Sequence, residues 1–136
     1  MTSPKPGPLA DTIGTIEASY EFMLAYAAQG RDDESRDTAP SIRNVLTDLS
    51  QAIGSLEAHL RTAITALGAN GAKLGIFVDI VGQDAKRAKA VVDVALSVPS
   101  ISSLLIDNVN ATVHVRTLLT SVFLMDEAMG ALQRSG

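Results

Sequence analysis

A chain of 136 residues fits a single domain and is long enough to bury a core without disulfides or a structural metal. Hydrophobic residues make up 46% of it and charged residues only 19%, so there is ample aliphatic surface to bury and too little charge for a disordered polypeptide. Eleven Lys and Arg against fifteen Asp and Glu leave a net charge of −4, the wrong sign for neutralising phosphates, and nucleic acid is not an expected partner.

Cysteine is absent, which excludes disulfides, thiolate nucleophiles, iron–sulfur ligation and Cys-based zinc together. Residues 1–8 carry three prolines and no apolar run. They do not read as a signal peptide and are expected to form a flexible arm, leaving 9–136 as one domain. The longest uncharged stretch, 94–106, is interrupted by Pro99 and several serines. No membrane-spanning segment is expected, and a cytoplasmic location is the default reading.

Ile13, Ile16, Tyr20, Met23 and Ala27 recur at three- and four-residue steps, which predicts a helix over about residues 10–29. Asp11 or Thr12 could cap its start, and Gly30 suits its end. Phe22 and Tyr26 lie on a neighbouring face, so this helix is expected to touch more than one partner. Residues 30–39 read as a charged connector; their acids lack the spacing and mid-loop glycine of a calcium loop. Thr38 and Pro40 mark the next start.

The second helix has the clearest pattern. Ile42, Val45, Leu46, Leu49, Ala52, Ile53, Leu56, Leu60, Ala63, Ile64 and Leu67 make one continuous apolar stripe. Glu57 and Arg61 stand four apart with the acid first, the favourable orientation for a helical ion pair. Gly68 and the Asn70-Gly71 pair end it.

Residues 75–82 are bracketed by glycines and rich in β-branched side chains, which allows a buried strand and an α+β alternative. The helical reading instead sets Asp79, Gln83, Lys86 and Asp93 on one side and Phe77, Val81, Ala88, Val91 and Ala95 on the other. That reading runs on without a break, and one helix over about 72–97 is preferred. Lys86, Arg87 and Lys89 form a small basic cluster without aromatics, expected to be a solvated face.

Pro99 breaks the helix before it. Residues 100–132 then read as one last helix, apolar on most sides, which points to burial in its own bundle or against another subunit. The expected architecture is an all-α, antiparallel four-helix bundle. Gly14, Gly54, Gly75, Gly82 and Gly130 fall inside these helices and are expected to permit close helix approach.

Candidate chemistry is sparse. His59 could be a phosphotransfer histidine, but the lysine that usually follows such a residue is replaced by Thr62 or Ala63. A di-metal bundle needs Glu-x-x-His pairs, and the sequence contains none, so neither metal nor cofactor is expected. A polar strip on the last helix, Ser103, Asp107, Asn110, His114, Thr117 and Ser121, is the best candidate for a ligand-binding pocket. In it, Asp107, Asn110, His114 and Thr117 would line the site, with Asp107 fixing the tautomer of His114. The same strip could be a solvent edge or a polar network between subunits. No phosphate loop, nucleophile elbow or dinucleotide fingerprint is present. The expected function is therefore a non-enzymatic interaction or assembly module, accessory or regulatory, that associates with itself as a dimer or with another protein. A small-molecule-binding or catalytic bundle around His114 and Asp107 is the alternative, and phosphotransfer at His59 a minor one.

Overall fold

The computed structural model describes residues 7–36 and 38–135. Five α-helices follow one another: α1 (Pro8–Ala27), α2 (Ile42–Ala66), α3 (Leu74–Leu96), α4 (Ser103–Ala111) and α5 (Val113–Ser135). A 3-10 turn over Gly68–Gly71 joins α2 to α3. No strand occurs among the described residues, so the fold is all-α and the segment 75–82 lies inside α3. The glycines at its ends did not make it a strand. Its apolar residues fit the helical core face, where Val78 and Val81 are fully buried.

Pro8 occupies the first turn of α1, where its missing N–H would have had no partner in any case. Helix thus begins at the last residue of the expected arm, and residues 1–6 of that arm lie outside the described ones. α1 ends before Gly30, which takes φ +65°, a conformation open to glycine at little cost. α2 starts at Ser41, whose hydroxyl accepts from Asn44 N–H at 3.1 Å. This cap stands one to three residues beyond the Thr38 and Pro40 positions expected from sequence. It works because serine supplies a side-chain acceptor for a helix donor that has no intrahelical partner.

The long last helix of the sequence reading is two helices. Thr112 is extended, at φ −64° and ψ 141°. Its backbone N–H and its hydroxyl both donate to Val109 O, at 3.2 and 2.9 Å. The same hydroxyl oxygen accepts from Val115 N–H at 3.4 Å. One threonine therefore closes α4 and opens α5, which makes five helices where four were expected.

α1 packs against α2 and α4, α2 also against α3, and α3 against α5. Ile16, Met23, Leu46, Leu56, Val92, Ile106, Leu118 and Met125 are among the fully buried side chains where these elements meet. Each such burial stabilises by about 1.5–3 kcal/mol. The void left between α1, α2, α3 and α5 is only about 10 Å³, at the lower limit for one water molecule. The interior of the bundle holds no ligand-sized cavity there.

Glycines do not set the helix spacing as expected. A Cβ at Gly14 or Gly75 would meet open space, and one at Gly54 would make an ordinary contact with Lys89. Only Gly82 sits under a neighbouring helix, with the Glu57 carboxylate of α2 directly over it.

Candidate functional site

The polar strip of the sequence reading is taken apart by the break at Thr112. Asp107 lies on α4 and is exposed, while His114 and Thr117 lie on α5 and are exposed. Among the described residues no hydrogen bond joins Asp107 to His114, so the carboxylate does not orient that ring. Asn110 is buried and turned inward, where its Nδ2 donates to Met23 O of α1 at 3.2 Å. Its Oδ1 is buried without a partner. Asn110 thus serves the α1–α4 contact, while His114 and Thr117 border a groove beside α3.

Two of them do meet a feature that sequence reading missed. Asp84 on α3 is buried, and its Oδ2 accepts from the Ser121 hydroxyl of α5 at 3.0 Å. Beside this pair, Asp84, Arg87, Val113, His114 and Thr117 line a groove of about 200 Å³ between α3 and α5. The groove falls below the roughly 300–1,000 Å³ usual for ligand pockets.

His59 has a structural partner. Its Nδ1 lies 2.8 Å from the Thr12 hydroxyl oxygen, joining α1 to α2. Nothing built for metal surrounds either histidine, since no group of three or more His, Asp or Glu among the described residues could hold an ion. No helix among them is long and apolar enough to cross a membrane.

Polar interactions gather instead at one end of the bundle, where they fasten loops. Glu34 accepts two bonds from Arg43, at 2.6 and 3.2 Å, and one from Ile101 N–H at 2.9 Å. Hydrogen bonding from Arg43, and secondarily from Ile101 N–H, holds the Glu34 carboxyl below its ordinary value. Arg43 also donates to Leu96 O and Val98 O, which satisfies carbonyls at the C-terminal end of α3. Nearby, the Tyr26 hydroxyl donates to Ile101 O at 2.6 Å and the Ser103 hydroxyl donates to Tyr26 O at 2.7 Å. The Arg31 guanidinium stacks over the Tyr26 ring at 5.3 Å. The charged connector is therefore pinned to the 97–103 turn rather than merely solvated.

Part of the outer surface is apolar. Eight large hydrophobic side chains are exposed among the described residues, and three of them, Ile76, Ile80 and Val94, share the outward side of α3. Sequence reading had placed the uncovered apolar surface on the last helix. Leu104, Val113, Phe123 and Leu124 are indeed exposed there, but they are divided between α4 and α5. The α3 residues could have been found from their spacing, because Ile76, Ile80 and Val94 form an apolar arc apart from the core face of that helix. No protein-family model, curated protein or solved structure matches the chain.

Proposed function

We propose that the chain is a helical interaction module that associates with a second copy of itself, a bundle in which α4 and α5 together stand for the fourth rod. The observation that carries this reading is the outward side of α3. Ile76 is 75% exposed, Val94 62% and Ile80 46%, and none of the described elements covers them. Isolated exposed apolar residues are ordinary on a protein surface, whereas several on one helix face mark a contact surface. The small central void and the dispersal of the polar strip point the same way, toward a surface role. Sedimentation across a concentration range tests the reading: a dimer forming with concentration supports it, and a persistent monomer removes it.

A second reading rests on the α3–α5 groove. The buried Asp84 lines it together with Arg87, His114 and Thr117. Such a set suits a small polar ligand bearing both a hydrogen-bond donor and an acceptor. Millimolar titration with small amines and carboxylates, followed by amide NMR, should shift His114 and Thr117 and lose that shift in His114→Ala. No shift in the parent chain would dismiss the groove as a site.

A further inference from the structure

Residues 76, 80, 83, 87, 90 and 94 of α3 follow one another at steps of four, three, four, three and four. All six are exposed. They form one outward helix face, two positions per seven residues, the spacing along which two helices can pair. The seam runs opposite the core face of Val78, Val81, Ala85, Ala88, Val92 and Ala95, so α3 has one face for its own bundle and another for a partner. Its length is roughly 27 Å at 1.5 Å per residue.

The order of residues along the seam is Ile76, Ile80, Gln83, Arg87, Ala90, Val94. The ends are apolar and the middle is polar, and the positions are symmetric about the height of Ala85. We infer that two copies pair through α3 antiparallel, about a two-fold axis at that height. Ile76 then packs on Val94 of the second copy, Ile80 on Ala90, and Gln83 meets Arg87. A closed two-fold contact requires this kind of self-complementarity. The middle layer sets the direction. Antiparallel pairing gives each Arg87 guanidinium a Gln83 carbonyl as acceptor, whereas parallel pairing would bring the two Arg87 side chains together. The polar middle layer also fixes the register, since a slip of one heptad would set Gln83 or Arg87 against an isoleucine or a valine.

This inference deepens the self-association reading and rests on it. One helix per copy covers less than the roughly 1,200 Å² of a standard interface, so the dimer is expected to be reversible, with a micromolar dissociation constant.

The natural absence of cysteine makes the register directly testable. Ile80→Cys and Ala90→Cys chains, each with one exposed thiol, are mixed in equal amounts at about ten times the dissociation constant and treated with a short bismaleimide. Like positions on the two copies are offset by roughly 15 Å along the paired helices, and unlike positions lie level. The mixed product, identified by mass, should exceed either like-with-like product at least fivefold. A statistical mixture of the three overturns the pairing. In parallel, sedimentation compares the parent chain with Ile76→Lys/Val94→Lys, whose fold is checked by circular dichroism. A dimeric parent and a monomeric variant are the expected pair. If both are dimers, the α3 seam is wrong while self-association stands; if the parent itself is monomeric, both fall.

Discussion

Glu34 lies in the most charged segment of the chain, yet its carboxylate ties three parts of the molecule: the connector, α2 through Arg43, and the turn at Ile101. Because its carboxyl is depressed in the folded state, the stabilisation is fully present above the unfolded value near 4.5. It is lost as pH falls through the lower folded value. Glu34→Gln should therefore flatten part of the fall in melting temperature below about pH 4.5, leaving the contribution of Asp93. That carboxyl is depressed by its bonds from Lys89 and Ser50. Identical acid limbs for the two proteins would remove Glu34 from this role. At neutral pH Glu34→Ala should cost about 1.5–3 kcal/mol in urea denaturation, the range for a hydrogen-bonded charged group.

Two glycines give opposite expectations at the same scale. Gly54 is an exposed helix-interior residue whose Cβ position is free of close contact, so Gly54→Ala should stabilise by about 0.5–1 kcal/mol. Gly71 is buried, and a Cβ there would lie 2.7 Å from the Ile64 backbone oxygen; Gly71→Ala should destabilise by about 1–3 kcal/mol. Denaturant midpoints that fail to move in opposite directions would contradict the packing described for these two sites.

At the scale of elements, the helices that sequence identifies best are those whose burial is one-sided. The α2 stripe is legible because seven of its residues, from Ile42 to Leu60, enter the core at regular spacing. The Glu57–Arg61 pair is legible for the same local reason, and it forms at 2.6 Å with Asp79 as a further partner. The α4–α5 break was hidden because no proline or glycine marks it between Asp107 and Val115, and threonine is tolerated inside helices. Its capping role depends on where the chain turns. Thr112→Ala should cost about 1 kcal/mol and raise amide exchange at residues 113–116; unchanged exchange there would mean that the cap does not hold the start of α5. The tie of Asn110 to Met23 and of Ser103 to Tyr26 was not legible at all, since each joins residues far apart in sequence. Reading the last two helices as one rod aligned Asp107 with His114, and that alignment is what suggested the pocket.

For the whole molecule, the low charge fraction of 19% has a physical location. The core, together with the partly buried side chains packed against it, accounts for most of the apolar residues, and its central void is too small for a ligand. The remainder emerges on the outside, most regularly along α3. A chain that leaves Ile76, Ile80 and Val94 in water bears an apolar surface that a partner would cover. In the proposed pairing that partner is a second copy.

Sedimentation velocity of the unmodified chain, from about one-tenth to about one hundred times the micromolar constant expected for a small interface, is the most direct check. The weight-average mass should rise from the 14.2 kDa of one chain toward twice that value and stop there. A single 14.2 kDa species at every concentration would show that the α3 surface does not bring two copies together.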